Sequence, residues 1–159
     1  MLYVLFNLDK DRYVIRAKDV IEIIPLVKLN HIPKTPDYVA GMFSYRGTVV
    51  PVIDMRLLTE SRELRNVMST RIILVNYMVD DSEDHVLGLI VEHATDTVSL
   101  NEDDFSESAV HVKDSPYMTK VVTDEAGVIQ GIDVKKILPE HVRKMIFARD
   151  TGKEVSLVL

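Results

Sequence analysis

Short apolar runs, each ended by a polar turn, recur along the chain. Residues 2–8 form the first run, and after the turn NLDKDR the residues Tyr13, Ile15 and Ala17 recur at every second position, with the polar residues Arg16 and Lys18 next to them. A period of two is typical of a half-buried β-strand, so this opening predicts a strand, a turn and a second strand. The next run, DVIEIIPLVKL, is also predicted to be β-structure, because β-branched residues favour strands and Pro25 disrupts any helix.

The stretch FSYRGTVVPVID, residues 43–54, predicts a tight hairpin. Gly47 adopts a positive φ at little cost, as a tight turn between two strands requires. Residues 48–54 are apolar on both faces, which predicts a strand that is covered on both sides. Pro51 removes one hydrogen-bond donor from that strand, which indicates an edge or a bulge.

Two longer β segments follow, at residues 70–79 and 85–100, with the acidic loop DDSED between them. The polar stretch 101–118 carries few signals of order and predicts a solvated connector. Residues 119–138 predict a hairpin that turns at DEAG and then a short helix.

Helical segments are predicted to be few and short. MRLLTESRELRN, residues 55–66, is mixed and polar, and it predicts a short helix or an ordered loop. PEHVRKMIFAR predicts a helix with Pro139 at its first position and basic residues toward its end. The last residues, DTGKEVSLVL, are predicted to fray or to add a strand.

Two segments of the chain echo each other. VIDMRLL at 52–58 and GIDVKKIL at 131–138 share Ile-Asp, a base two residues after the aspartate, and then leucine. So short a match has two explanations. One is chance, and the other is two similar β-subdomains that each end a central hairpin in the same way. Many short strands with frequent turns favour barrels or a sandwich.

Composition narrows the classes of function. The chain has 159 residues, 47% of them hydrophobic, no cysteine, and a net charge of −6. Disulfides, thiolate metal sites and cysteine nucleophiles are thereby excluded, and the acidic balance disfavours nucleic acid and anionic membranes as partners. No apolar run reaches the roughly 20 residues that span a bilayer. MLYVLFNLD lacks a basic flank and a cleavage site, so we expect a strand there rather than a signal peptide, and a cytoplasmic protein without membrane insertion.

No stretch carries a recognisable reaction centre. DTGKE lacks the glycine and the Ser/Thr of a phosphate loop, and DDSEDH lacks the glycine and the bidentate acid of a calcium loop. No histidine pair has metal-ligand spacing, which leaves open only a metal site built from distant histidines. We therefore expect neither an enzyme nor a cofactor, and the profile favours a module that binds other proteins.

A set of segments resembles one known family. GMFSYRGTVVPVIDMR, residues 41–56, resembles the signature of the CheW-like family, in which hydrophobic-Arg-Gly leads into an apolar run with proline and then Asp-hydrophobic-Arg. RYVIRAKDVIEI, TRIILVNY, HVLGLIVEHATDTVSL and GIDVKKIL resemble further family segments in the same order. The similarity covers roughly residues 3–140.

Some positions depart from the family pattern. Ser44 stands where the family often has asparagine, Gln130 and Gly131 interrupt an apolar run, and Lys120 replaces a frequent glycine. These features, with YRG and PEHVRKMIF, look more like the divergent adaptor of Wsp-type surface-sensing systems. They bear on which receptor and kinase are recognised, and they leave the fold unaffected.

The resemblance implies a mainly β fold of two five-stranded, SH3/OB-like barrel subdomains around a shared core. It places a CheW-like domain in residues 1–150, with subdomains at about 15–80 and 81–140 plus the N-terminal strand, and a tail at 151–159. It implies a non-catalytic adaptor that links the cytoplasmic tip of a chemoreceptor to the regulatory domain of a CheA-type histidine kinase. The alternative function is a β-barrel that binds nucleic acid or a small ligand, and a small hydrolase is a third class.

Arg46 has two interpretations. It pairs with Asp54 or Asp37 inside the protein, or it projects from the hairpin to bind backbone carbonyls or carboxylates of a receptor helix. The resemblance favours the second, at a receptor-facing groove between the subdomains. We also expect Asp54 and Arg56 to form an intramolecular electrostatic pair.

The remaining site residues follow from the resemblance. The receptor-binding set is Val20, Glu22, Gly41, Ser44, Tyr45, Arg46 and Gly47. Gly47 is expected to have a structural role in the turn. An ordinary strand, with Val20 in the core and Glu22 in solvent, explains Val20 and Glu22 equally well. The kinase-binding set is Leu87, Leu89 and Val91. For each of these three residues, a place in the core is the better single assignment. Val49, Val50 and Ile53 are expected mostly in the core.

Overall fold

The computed structural model describes residues 1–59, 68–78, 84–107 and 115–147. The strands are β1 (Leu2–Leu8), β2 (Asp11–Arg16), β3 (Val20–Pro25), β4 (Val39–Tyr45), β5 (Thr48–Asp54), β6 (Thr70–Met78), β7 (Asp84–Ser99), β8 (Ser106–Glu107), β9 (Met118–Asp124) and β10 (Gly127–Ile132). The helices are α1 (Met55–Leu58) and α2 (Glu140–Ile146), with 3₁₀ turns at Ala17–Asp19, Glu102–Asp104 and Val134–Lys136. The predicted tail, most of the polar stretch after Leu58, and most of the DDSED loop lie outside the described residues.

The mainly β prediction is confirmed. The two long segments form β6 and β7, and the DEAG hairpin forms between β9 and β10. Two details differ from the prediction. Pro139 is the N-cap residue before α2 rather than its first helical residue, because its φ of −60° and ψ of 153° correspond to extended backbone. The predicted connector contains the short strand β8, which pairs with β9.

The strand β7 organises the sheet, because its two halves have different partners. Residues 84–92 pair with β6, and residues 92–99 pair with β1, where the register shifts between Glu92 and Asp96. Residues 52–54 of β5 also pair in parallel with the first half of β7. Glu92 is therefore the position at which β7 passes from one group of strands to the other.

Two groups of strands share β7. The first group consists of β3, β4, β5, β6 and the first half of β7. A bridge between Asn30 and Met42 brings the chain that follows β3 back against β4. The second group consists of the other half of β7 with β1, β2, β10, β9 and β8. The predicted subdomain boundaries, 15–80 and 81–140, stay a prediction.

The echo seen in the sequence corresponds to a repeated local structure. The Asp54 N–H donates to Tyr38 O at 2.7 Å, and the Asp133 N–H donates to Tyr117 O at 2.9 Å. Each aspartate then caps a helical turn, because its carboxylate accepts backbone N–H groups that follow it. The preceding residues pair in parallel with β7 in the first group and with β2 in the second. The two segments therefore have the same role in their groups.

The largest core cluster draws on both groups. Phe6 and Tyr13 come from the second group, Ile53 and Ile73 from the first, and Val142 from α2. Two smaller clusters lie within the groups, one around Val50, Val52, Ile72, Leu74 and Ile90, and the other around Tyr3, Val14, Val122 and Ile129. The apolar residues that sequence analysis assigned to strands thus form one shared core with a satellite on either side.

A buried ion pair lies where the groups meet. Arg56 Nη1 donates to Glu92 Oε2 at 3.0 Å, and their side chains are only 4% and 14% exposed. The pair links α1 to the residue at which β7 changes partners. Removal of one member would leave the other charge buried without compensation.

Gly41 and Gly47 both have positive φ, but only Gly41 is crowded. A Cβ on Gly41 would lie 2.5 Å from Asn30 O, whereas one on Gly47 would meet no atom within 4 Å. We expect Gly47→Ala to lower the free energy of unfolding by roughly 1–2 kcal/mol through strain, and Gly41→Ala by at least about 3 kcal/mol. Urea denaturation of both variants measures the difference. Equal losses would mean that Asn30 does not approach Gly41 so closely.

The buried pair gives a second prediction. We expect Glu92→Gln to lower the free energy of unfolding by about 3 kcal/mol or more, because the Arg56 charge stays buried without its partner. The double variant Arg56→Met/Glu92→Leu should recover most of that loss. The exposed pair between Arg12 and Asp124, at 2.6 Å, supplies the matched control. Asp124→Asn should have a smaller effect, and a loss as large as that of Glu92→Gln would contradict the assignment.

Candidate functional site

The β4–β5 hairpin turns through two residues, as predicted. Tyr45 pairs with Thr48, and Arg46 and Gly47 have φ of 49° and 83°. Two consecutive positive φ values define a type I′ turn, which normally has Asn, Asp or Gly at its first position. An arginine there holds a left-handed conformation that L-residues with a Cβ disfavour by roughly 1–2 kcal/mol. Such strain is common at functional sites, which draws attention to the Arg46 side chain.

The Arg46 guanidinium is exposed but held in place. Its Nη2 lies 3.3 Å from Glu22 Oε1, and its Cζ lies 5.1 Å from the centroid of the Tyr45 ring. The side chains of Arg46 and Glu22 are 75% and 40% exposed. An ion pair so open to water contributes little stability, and a cation over a half-buried ring at the surface adds a similar small amount. These contacts orient the guanidinium without covering it.

Tyr45 completes the arrangement through the same carboxylate. Its hydroxyl donates to Glu22 Oε1, the oxygen that also accepts from Arg46. This hydrogen bond, followed by desolvation and the Glu22 charge, raises the pKa of Tyr45, and the Arg46 charge partly opposes the rise. We call Glu22, Tyr45 and Arg46 the rim triad.

The rim triad joins two elements that lie far apart in sequence. Glu22 lies on β3, just after a register shift against β6, and Tyr45 ends β4. Between them lies the smaller apolar cluster of the first group, on which Ile24, Phe43 and Tyr45 pack. The Phe43 and Tyr45 rings meet edge to face, with centroids 6.3 Å apart. The triad therefore sits at the border of an apolar cluster, where its polar atoms reach water.

The other predicted receptor-binding residues lie in different surroundings. Val20 is half-buried against the shared core. Gly41 is buried and crowded by Asn30, which indicates a structural role. Ser44 and Gly47 are exposed on the hairpin. The structure thus brings together three of the seven predicted residues.

Val49 was expected in the core, and that expectation is wrong. Its side chain is 64% exposed, and it pairs with Ser44, whereas Val50 is fully buried. Thr48 is exposed as well, so the first two residues of β5 are not covered on both sides. Residues 50–54 are all buried, so β5 has no alternation that would have identified Val49 as exposed. Pro51 fits its prediction, since it pairs with Met42 and precedes the residues that pair with β7.

The direct ion pairs of Arg46 and Arg56 form with carboxylates other than those predicted. Arg46 pairs with Glu22 rather than with Asp54 or Asp37. Asp54 accepts the backbone N–H groups of Arg56 and Leu57, and the Arg56 guanidinium binds Glu92 instead. Burial raises the pKa of Asp54, and the two backbone hydrogen bonds and then the charge of Arg56 oppose that rise, so Asp54 and Arg56 attract each other without a direct ion pair. The aspartate is therefore a helix cap.

The predicted kinase-binding residues lie in the core. Leu87, Leu89 and Val91 are fully buried in the shared cluster. Ile90, on the other face of β7, belongs to the smaller cluster of the first group. Since β7 is covered on both faces here, these three side chains offer no surface for direct contact, which agrees with the core assignment.

Within the described residues, no group of three or more His, Asp or Glu side chains is arranged to hold a metal ion. Over the same ranges, no helix combines the length and the apolar character needed to cross a bilayer.

Comparison with known proteins identifies the family. A family model described as CheW-like domain matches residues 2–142. The chemotaxis protein CheW of Bacillus subtilis is 28% identical over 140 residues, which cover 87% of this chain and 86% of that protein. The CheW of Klebsiella aerogenes is 26% identical over 147 residues, with 91% and 85% covered. The CheW of Helicobacter pylori is 25% identical over 114 residues, and the match covers 72% of this chain and 66% of that relative.

A solved structure shows the same fold. The crystal structure of the scaffolding protein TtCheW from Thermoanaerobacter tengcongensis superposes with a TM-score of 0.80 at 23% identity. The superposition covers 91% of this chain and 92% of that one. The paired strands, the shared core and the hairpin signature agree with a family model that spans nearly all the described residues, and the chain belongs to the CheW-like family.

Proposed function

We propose that this chain is a non-catalytic adaptor that couples the cytoplasmic tip of a chemoreceptor to the regulatory domain of a CheA-type histidine kinase. The observation that carries the proposal is the match of the CheW-like family model to residues 2–142. Both partner surfaces face the cytoplasm, so the adaptor acts there. The narrower Wsp-type assignment stays a prediction.

The comparisons do not support the alternative function, a barrel whose main role is to bind nucleic acid or a small ligand. The net charge of −6 would repel a phosphate backbone. The curated relatives are chemotaxis proteins, and the solved relative is called a scaffolding protein.

The rim triad is the proposed contact with the receptor. Arginine carries five N–H donors in a planar fork, and the only side-chain hydrogen bond of Arg46 in the described residues, the one to Glu22, is long. The other donors remain available to a carboxylate or to backbone carbonyls at the end of a helix. Since Glu22 and Tyr45 already orient the guanidinium, a partner loses less side-chain entropy on binding it.

Val49 and Ser44 extend this contact. They lie opposite each other on the exposed face of the hairpin, beside the turn that carries Arg46. An exposed valine next to an oriented arginine combines apolar area with charge, and arginine is enriched among residues that dominate binding energy. The hairpin tip therefore offers a small mixed surface suited to an amphipathic helix.

The kinase contact is not assigned to particular side chains. Leu87, Leu89 and Val91 are buried, so they would act on that contact only through the shape of β7. Signal transfer needs no chemistry in the adaptor if it holds receptor and kinase in a fixed relation. Weak contacts become effective when many are linked in an array.

Replacement of Arg46 by asparagine separates binding from folding. Asparagine followed by glycine is a favoured type I′ pair, so we expect Arg46→Asn to keep or raise the melting temperature. The same change should weaken binding to a receptor tip fragment by at least about tenfold, because the oriented guanidinium is lost. Thermal melting and isothermal titration calorimetry measure the two effects.

Lys136→Ala provides the control, since it removes an exposed cation from the second group. It should leave receptor binding unchanged. If Arg46→Asn is folded and binds the receptor fragment as tightly as the parent chain, Arg46 does not belong to the contact.

The rim triad is testable without any partner. We expect Glu22→Gln to lower the pKa of Tyr45, because the negative charge that disfavours its phenolate is removed. Residue-specific NMR titration of the tyrosine rings measures this shift. Tyr13, whose pKa burial raises to about 12, should be unaffected. An unchanged pKa of Tyr45 would show that its hydroxyl does not bind Glu22 in solution.

A further inference from the structure

A cavity of about 320 Å³ opens on the second group of strands, away from the rim triad. It lies among β1, β2, β10 and the 3₁₀ turn at Glu102–Asp104. Ligand pockets in proteins measure roughly 300–1,000 Å³, so the volume suits only a small molecule. None of the residues proposed above for the receptor contact lines this cavity.

One wall of the cavity is aromatic and apolar. The rings of Tyr3 and Phe105 lie 5.3 Å apart, and Val14 adds an aliphatic surface. Gly131 lies between them, and a Cβ there would be 3.4 Å from Lys120 O and 3.6 Å from the Phe105 ring. The missing side chain leaves that space open. This wall suits an apolar or aromatic group.

The charges of the cavity do not cancel. Arg16 binds Asp19 outside the cavity, at 3.0 Å, and the Asp133 carboxylate accepts the N–H of Lys135. The ammonium groups of Lys120 and Lys135 have no carboxylate partner among the described residues. Asp133 keeps its negative charge in its hydrogen bond to the Lys135 N–H, and the lining as a whole has three basic and two acidic side chains, an excess of one positive charge.

The hydroxyl of Tyr3 adds a neutral donor. Burial raises the pKa of Tyr3, the Glu102 charge raises it further, and the Arg16 charge opposes the rise. The phenol therefore stays protonated at neutral pH, in a cavity that two lysines also line. Two lysines and a hydroxyl next to an aromatic wall match an anion attached to an apolar body.

We propose that this cavity binds a small ligand in which a carboxylate adjoins an aromatic or apolar group. The carboxylate would lie between Lys120 and Lys135, and the apolar group would fill the space above Gly131 against Phe105. Neither part is sufficient by itself, because the exposed lysines hold a bare anion weakly and the apolar wall is small.

The test is an NMR titration of the ¹⁵N-labelled full chain with three probes. Phenylacetate carries both features, inorganic phosphate carries only the anion, and 2-phenylethanol carries only the ring. We expect phenylacetate to shift the amides around Gly131 and Phe105 saturably, in the millimolar range, with at least about threefold tighter binding than either other probe. Equal binding of phosphate would overturn the apolar part of the proposal, and equal binding of 2-phenylethanol would overturn the anionic part.

Variants locate the site. Lys120→Gln and Lys135→Gln should each weaken phenylacetate binding by at least about threefold, since each removes one attractive charge. Lys136→Gln is the matched control, because Lys136 belongs to the same 3₁₀ turn as Lys135 but does not line the cavity. Gly131→Ala should also weaken binding, since its methyl group occupies the open space. Non-saturating shifts, or an equal loss in Lys136→Gln, would overturn the proposal.

Discussion

The fold depends on the passage of β7 from one group of strands to the other at Glu92. This residue pairs with Thr70 on β6 and with Asn7 on β1, so its backbone belongs to both groups. Its side chain is committed to Arg56, which follows the aspartate that caps α1. A buried ion pair is weak evidence of stability, because desolvation offsets its attraction. The contact links α1 to the residue at which β7 changes partners.

Residues 87–91 of β7 are buried, so this part of the strand presents no side chains for recognition. The groups that can meet a partner lie at turns and borders, where backbone is less constrained by packing. Arg46 shows the consequence, since it holds a left-handed turn position that asparagine or glycine would occupy with less strain. Backbone strain of this kind is common at functional sites, and Glu22 and Tyr45 hold the Arg46 side chain toward water.

The sequence predicted the features that are local. Gly47 and the β-branched run after it indicate the hairpin, and the echo at Asp54 and Asp133 proved to be a repeated cap. Val49 was misassigned, because an apolar residue at the start of a strand looks the same in the core and at the surface. The pair between Arg56 and Glu92 was not predictable, since 36 residues separate them and the parallel register of β5 on β7 brings them together. The rim triad was not predictable either, because Glu22 on β3 and Arg46 on the hairpin are 24 residues apart and meet only in the folded chain.

The repeated cap also explains why the two groups offer different chemistry on similar frames. Two residues after Asp54 comes Arg56, whose charge is turned inward and satisfied by Glu92. Two residues after Asp133 comes Lys135, which borders an open cavity and has no carboxylate partner in the described residues. The same backbone arrangement therefore places a cation at the same point of each group. A buried partner makes the first cation structural, and its absence leaves the second available to a ligand.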